Sequence, residues 1–575
     1  MRGSRIVVVL VPALALGAGQ WSASASGSGA RPARGHFRPL APQEARAAQR
    51  DARGQSSLGP GDTPSQLECR TTNVTGASNL KLDCDEVFPN NEPNIAVDPA
   101  DPAHMVASSN DYGSCCDEWY TTFNGGRRWV TGNISVESPG ASERTGSDPV
   151  TSFDVKHGTV IHSSLNFLNS GNCANPNDVA DGDVVASVSQ DGGRTWNTVV
   201  QVGDGGGPNS CESDGIFNDK EWITTDNYPS SPHYGTTYLT WTAFYSGGRD
   251  EGDRSTSDGI GQPGPQSPIM ESHSTDGGFT WSAPQEISGS NPARCTYVVA
   301  GRTDACNDDQ FSVPSVAPNG RVYVSFSNDQ NQALWEPGEQ FDDQYLVVSS
   351  GDGGVTWTQP TFVVGIEDGS RDMPRNVDGR QTLTDQQMRV PFTQGFVADP
   401  THTGRLYLVF VDNRNGIHDS ATPKTELDVF IMVKPNATSA WRGPFDVNSA
   451  DTGQIGNDQW FPWVDVNPTN GQVGVIYNDR RYTPRFRQYG ATLATSPAGG
   501  RAFTERRVST ALSHPRNSRY FRAHDPSCPG CTRFHGDYIG IAYGSNGKAN
   551  LVWTDMRDYD AGSGHYLQFI YFARG

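Results

Sequence analysis

One eight-residue pattern occurs six times in this chain and constrains its fold more than any other feature. The clearest copy is Ser189-Gln190-Asp191-Gly192-Gly193-Arg194-Thr195-Trp196. It returns as Ser274-Thr275-Asp276-Gly277-Gly278-Phe279-Thr280-Trp281 and as Ser350-Gly351-Asp352-Gly353-Gly354-Val355-Thr356-Trp357. Three degraded copies keep the frame: Thr122 to Trp129, Lys434 to Trp441 and Ser496 to Phe503. The starts lie 67, 85, 76, 84 and 62 residues apart. Repeats of this length and composition predict a radial all-β array, because a single unit cannot bury its own faces.

The pattern has a readable mechanism. Gly-Gly permits positive φ in a hairpin turn. The Asp carboxylate is expected to accept hydrogen bonds from nearby backbone amides. The Trp is expected to cover the turn. In these terms Asp191, Asp276 and Asp352, with Trp196, Trp281 and Trp357, are structural. The motif resembles the Asp-box, or bacterial neuraminidase repeat, of sialidases and related secreted β-propellers. Such boxes sit on unrelated propellers, so the resemblance implies a fold before it implies a chemistry.

Each box aligns the strands before it, and a four-strand unit appears six times. First strands are expected near 94–97, 150–155, 222–225, 313–317, 396–398 and 461–466. Alternation and β-branched or aromatic content support them. A seventh unit supplies three strands, near 538–543, 550–553 and 566–572, and the chain then stops. Its missing outer strand is expected from residues 66–88, since closure removes exposed edges. Seven blades over residues 66–575 is the expectation. A six-bladed propeller of the sialidase type is the alternative.

The chain opens like a secreted protein. Arg2 and Arg5 precede an apolar stretch from Ile6 to Ala18, and Ala23-Ser24-Ala25 offers a cleavage site. Residues 1–25 read as a signal peptide and 26–65 as a disordered leader or pro-segment. No stretch is long enough for a membrane span. Up to residue 65 there are eight Lys and Arg against three Asp and Glu. Removing them from totals of 44 and 64 leaves 36 and 61, a net charge of −25. That balance opposes nucleic-acid binding. A monomer is expected, with an extracellular glycan or polysaccharide as partner. No cofactor is required; calcium is compatible.

Ten cysteines after a signal suggest disulfides. Cys295 and Cys306 share one loop and should pair, as should Cys528 and Cys531. Cys173 and Cys211 are a further candidate pair. Cys69, Cys84, Cys115 and Cys116 are expected to tie the N-terminal closure to blade one, with connectivity open.

Propeller topology sorts the loops. Strands A to D run from the axis outward. A–B turns are short and the boxes are C–D turns. The long segments, near 166–181, 244–267, 286–309, 329–343, 363–391 and 413–427, are all B–C or D–A. Long loops gathered on one face are a binding surface in this reading. Acidic residues recur on that face at the starts of strand A: Glu92, Asp148, Asp219, Asp308, Asp309, Asp458 and Asp537. Arginines recur at the ends of strand B, as Arg414, Arg480 and Arg557. Carboxylates there can supply acid, base or cation ligands, and arginines can grip an anion. Equally, Asp and Arg can pair with each other and satisfy loop amides.

The sialidase resemblance implies three arginines on a substrate carboxylate, a Tyr–Glu nucleophile pair and an Asp acid/base. On this chain Asp537, Tyr538, Asp148 and Asp219 are the catalytic candidates. Arg414, Arg480, Arg557, Glu92, Asp458 and His535 are the substrate-binding candidates. Asp308 and Asp309 are candidate cation ligands. The family's Arg-Ile-Pro before the first box is absent; the aligned segment reads Glu92-Pro93-Asn94-Ile95. A sialidase-like glycoside hydrolase is one expectation. A polysaccharide lyase using His535 and Tyr538, and a non-catalytic glycan- or protein-binding propeller, are the others.

Overall fold

A computed structural model describes residues 67–70, 79–83, 89–112, 117–134, 144–168, 182–205, 216–245, 266–296, 305–330, 343–368, 372–374, 381–384, 386, 388–391, 393–419, 421–449, 455–483, 488–515, 534–562 and 564–575. They form a seven-bladed, all-β propeller. The innermost strands are Asn90–Val97, Arg144–Asp154, Ile216–Thr225, Asp309–Val316, Gln394–Ala398, Gln459–Val466 and Gly540–Tyr543. Each contacts the next around the ring, and the seventh contacts the first. Within each blade the strands pair antiparallel. One parallel bridge, Phe217 with Gly182, joins blades two and three.

The ring closes as the sequence predicts. Blade seven lacks a C-terminal outer strand, and Leu80–Lys81 supplies it by pairing with Phe572 and Tyr571. The register continues beyond the strand, where the Leu82 amide donates to the Ile570 carbonyl at 2.9 Å. Leu67–Arg70 adds a fifth strand to the outside of blade one. The N-terminal chain therefore binds the outer edges of both the first and the last blade. No six-bladed ring is formed.

The repeated turns behave as read. Ser274 Oγ donates to Asp276 Oδ1 and accepts from the Gly278 amide at 3.0 Å. Asp276 Oδ1 accepts the amides of Phe279 and Thr280, and Oδ2 accepts the Thr280 hydroxyl at 2.6 Å. Trp281 Nε1 returns to the Gly278 carbonyl at 3.0 Å. Gly278 has φ 92°, and a Cβ there would meet Ile161 Cδ1 at 3.0 Å, so the turn needs glycine twice over. The turns at Asp191 and Asp352 repeat the serine and threonine bonds. Trp357 Nε1 again reaches the glycine carbonyl, Gly354, at 3.0 Å, whereas Trp196 Nε1 makes no such bond. Trp129, in a degraded copy, is fully buried edge-on to Phe572 at 5.1 Å and so ties blade one to blade seven.

Six of the seven innermost strands start earlier than expected, and for five of them the reason is a shared irregularity. Five of them carry a bulge, between Asn91 and Asn94, Ser147 and Val150, Asp219 and Trp222, Gln310 and Val313, and Trp460 and Trp463. One residue of each bulge is left-handed: Glu92 (φ 57°), Asp148 (60°), Lys220 (52°), Phe311 (55°) and Phe461 (55°). An extra residue breaks the period of two, so these strands read as loops in sequence. Such backbone costs about 1–3 kcal/mol per site in non-glycine residues and clusters at functional positions. Cys295 and Cys306 are disulfide-bonded as expected. The pairs Cys528–Cys531 and Cys173–Cys211 lie outside the described residues, as do residues 1–65. Among the described residues no helix is long and apolar enough to cross a membrane.

Candidate functional site at the axial mouth

The bulges set the site. Tyr538 lies two residues before the Gly540–Val552 pair, as Phe461 lies two before Trp463–Ile476. It therefore stands level with the left-handed residues of the other blades. One step deeper, Trp222 of blade three and Trp463 of blade six meet across the axis with ring centroids 4.3 Å apart. Tyr538 packs edge-on to Trp222 at 5.2 Å. Aromatic rings thus floor the channel, and the bulge residues form a mouth above them.

Carboxylates crowd this mouth. Glu92 interacts with Asp148 and Asp537, and Asp219 interacts with Asp148 and Asp537. Glu221, fully buried, joins them through Asp148. Burial holds the Glu92, Asp219 and Glu221 carboxyls well above the usual range, and the Asp148 charge adds to this in each case. Burial also raises Asp537, against the opposing pull of Arg389. Asp148 is only partly buried and takes the Ser147 hydroxyl at 2.9 Å. The two cations are Arg389, paired with Asp537, and Lys220. Lys220 is 4 % exposed, and its Nζ lies 4.0 Å from the Tyr538 ring centroid, 4.1 Å from Trp222 and 4.4 Å from Phe311.

Three groups here are buried and make no hydrogen bond: Lys220 Nζ, both oxygens of Glu221 and the Tyr538 hydroxyl. Burial raises the Tyr538 phenol well above its normal value, with Asp148, Glu92 and Glu221 adding to the shift. The phenol is therefore a proton carrier that needs a base. Buried polar atoms are normally satisfied, so these three single out the mouth as the candidate site.

The structure brings together Glu92, Asp148, Asp219, Asp537 and Tyr538. The other expected residues do not join them as imagined. Asp219, Asp309, Asp458 and Asp537 fall one to three residues ahead of the left-handed level, so the acidic residues form no single ring. Asp458 instead pairs with Arg480 Nη1 at 2.5 Å and accepts the Leu427 amide at 3.1 Å. Arg414 pairs with Asp412 at 2.6 Å and Arg557 with Asp555 at 2.5 Å. Each of these three arginines is thus engaged by a carboxylate of its own blade. His535 Nε2 accepts Trp460 Nε1 at 2.9 Å, and its ring lies 5.0 Å from Phe461. Burial pushes its pKa down to about 3, with Arg389 nearby as a second cause.

Asp309 accepts Asn328 Nδ2 at 2.6 Å, and no third ligand-type side chain gathers with Asp308 and Asp309 among the described residues. The one such gathering there is Glu367, Asp372 and His418. His418 Nδ1 meets Asp372 and its Nε2 lies 3.2 Å from Glu367, so both ring nitrogens face carboxylates. That is the arrangement of an imidazolium bridging two acids.

Sequence reasoning missed Arg389, Lys220 and Glu221. Lys220 and Glu221 follow Asp219 directly, but their approach to the axis depends on the bulge. Arg389 lies in the connection from blade four to blade five. Its signal was the triplet Arg389-Val390-Pro391, one conservative change from the Arg-Ile-Pro sought only before the first box.

No protein-family model matches the chain, and no curated protein matches it. Among solved structures it is similar to the Hadza microbial sialidase Hz136, at 12 % identity and TM-score 0.38, over 89 % of this chain and 96 % of that one. It is similar to a leech intramolecular trans-sialidase complexed with 2,7-anhydro-Neu5Ac, at 10 % identity and TM-score 0.41, over 76 % and 70 %. It is also similar to an α-L-arabinanase of Penicillium chrysogenum complexed with arabinobiose, at 12 % and 0.38, over 73 % and 93 %. Likeness at this level says nothing about chemistry.

Proposed function

We propose that this chain is a secreted glycoside hydrolase acting on extracellular glycans at the axial mouth. The observation that carries the reading is Tyr538 and Glu221, both buried, both without hydrogen-bond partners, among several carboxylates on strained backbone. Glycosidic cleavage needs one carboxyl held protonated and a second group poised as nucleophile or base. Here Tyr538 attacks the anomeric carbon while Asp148, the carboxyl nearest solvent, takes its proton. Glu221, held protonated by burial, protonates the leaving oxygen and later, as the carboxylate, activates water. Glu92, Asp219 and Asp537 shape the field around it. Calcium has no step in this scheme, and the site works within one chain.

Two narrower readings have less support. A sialic-acid substrate calls for arginines free to grip its carboxylate, and Arg414, Arg480 and Arg557 are each engaged by their own aspartate. A lyase calls for a base at His535. Its Nε2 accepts a hydrogen bond, so its proton sits on Nδ1 and no lone pair remains free.

The test is release of reducing sugar from a panel of polysaccharides by the full chain, compared with Tyr538→Phe and Glu221→Gln. Release lost in both variants supports the reading. No release across the panel, with glycan binding retained, means a binding module.

A further inference from the structure

Glu367, Asp372 and His418 have no part in the reaction proposed above, yet they gather at one point. Glu367 follows Thr361–Ile366, the outer strand of blade four, and Asp372 lies five residues further on. His418 lies in the loop that follows Leu406–Asp412, the second strand of blade five. One ligand-type atom from each residue lies within 4.8 Å of the other two.

One residue fixes the backbones that carry them. The Asn413 amide donates to the Glu367 carbonyl at 3.3 Å, and Asn413 Nδ2 donates to the Asp372 carbonyl. The Glu367 amide in turn donates to Asp412 Oδ2 at 3.3 Å. The loop then turns back at Gly416, whose amide donates to the Asn413 carbonyl at 2.8 Å. A side chain at Gly416 would collide with that of Asn413, so the turn that brings His418 to the acids needs a glycine. Glu367 and Asp372 are buried, whereas the His418 side chain is 34 % exposed, which leaves the ring open to water.

The spacing suits a small cation. His418 Nε2 lies 3.2 Å from Glu367 Oε2. Nitrogen and oxygen ligands held tetrahedrally at about 2.0–2.2 Å from one zinc ion stand about 3.4 Å apart. On the other side of the ring, Asp372 faces Nδ1. A carboxylate behind the ring fixes its tautomer and turns the opposite nitrogen toward a metal. Imidazole with carboxylate suits zinc and its neighbours, whereas calcium and magnesium take oxygen ligands. A cation entering between Nε2 and Glu367 displaces the Nε2 proton to solvent.

We propose that His418 Nε2 and Glu367 bind one divalent cation of the zinc class, with Asp372 orienting the ring and water completing the shell. The ion fastens the connection that leaves blade four to the loop of blade five. Neither the glycan reading nor the hydrolase reading is needed for this.

The test is calorimetric titration of Zn²⁺ into the full chain after chelator treatment, at pH 7.5, with Ca²⁺ as the comparison. The expected result is one zinc per chain with a Kd of about 100 μM or tighter, and no displacement by Ca²⁺. His418→Ala and Glu367→Gln should each weaken binding about tenfold or more, and Asp372→Asn about tenfold. Zinc should raise the melting temperature of the intact chain and not that of the first two variants. No binding at about 1 mM zinc overturns the proposal and leaves His418 as an imidazolium between two acids. Equal zinc affinity in the folded variants also overturns it, because the ion then sits on other groups. Anomalous scattering at the zinc edge from soaked crystals of the intact chain reads the site without any variant. A peak between His418 and Glu367 upholds the proposal, and peaks only elsewhere overturn it.

Discussion

Arg389 reaches Asp537 across 148 positions of sequence and closes an ion pair inside the axial mouth. The arginine comes from the connection between blades four and five, and the aspartate from the approach to the last inner strand. Both are buried, and the Arg389 guanidinium also lies 4.8 Å from the Phe534 ring centroid. A pair of this kind is weak evidence for net stability, yet breaking one half strands a charge.

Replacing Arg389 by Met should therefore destabilise the fold by about 3–5 kcal/mol. The double variant Arg389→Met with Asp537→Asn should recover much of that loss. Chemical denaturation of the two variants measures the difference. Equal losses in both would mean that the pair contributes nothing beyond packing.

The repeated turns make a contrasting prediction. Asp276 accepts two amides and a hydroxyl in an exposed turn on the face opposite the mouth. Asp276→Ala should cost about 1–2 kcal/mol in stability. Glycan affinity of the folded variant should stay unchanged. Loss of affinity in this variant alone would reverse the assignment of the two faces.

Much of this fold was legible in sequence because its signals are local. Gly-Gly after Ser-x-Asp fixes a turn whatever surrounds it, and the first strands expected near 94–97, 150–155, 222–225, 313–317, 396–398 and 461–466 are all strands in the structure. The missing outer strand of blade seven was legible too, since a ring with an open edge needs one. The site was less so. Glu92, Asp148 and Tyr538 sit where expected, but Lys220 and Glu221 take their places from a bulge that no periodicity announces. Arg389 arrives through tertiary folding of a long connection. Arg414, Arg480 and Arg557 looked alike in sequence, but only Arg414 and Arg557 are alike in structure, each paired with the aspartate two residues before it; Arg480 reaches Asp458, and Arg481 takes the equivalent place on Asp479.

The closure of the ring carries a pH dependence. Tyr120 hydroxyl bonds both Asp83, just past the closing strand, and Glu118 Oε2, the latter at 2.7 Å. One phenolic proton cannot satisfy two carboxylates, so a further proton is held there. Burial raises Asp83 from 3.8 to about 7, with Asp111 adding to the shift and Lys81 opposing it. A carboxyl raised on folding stabilises most below its unfolded pKa, and that contribution fades as pH climbs toward about 7. Asp83→Asn should flatten the fall in melting temperature between about pH 4 and 7. The turn carboxylate Asp352 runs the other way. Its bonds from Thr356 lower it to about 2, so its contribution is present above 3.8 and lost only as pH falls below that. An unchanged pH profile in Asp83→Asn would contradict the proton count.

Chemistry at the mouth should separate from stability. The Tyr538 hydroxyl has no hydrogen-bond partner, so Tyr538→Phe should leave the melting temperature nearly unchanged. Turnover of a cleaved glycan should fall by about two to four orders of magnitude. Full activity in this variant would remove Tyr538 from the reaction.

Where a glycan binds is the most direct test of the axial mouth. A crystal structure of Glu221→Gln soaked with an oligosaccharide that the intact protein binds would settle it. A sugar ring is expected at the axial mouth, within hydrogen-bonding reach of the Tyr538 hydroxyl. A sugar seated instead on the face of the repeated turns, with the mouth unoccupied, would contradict it.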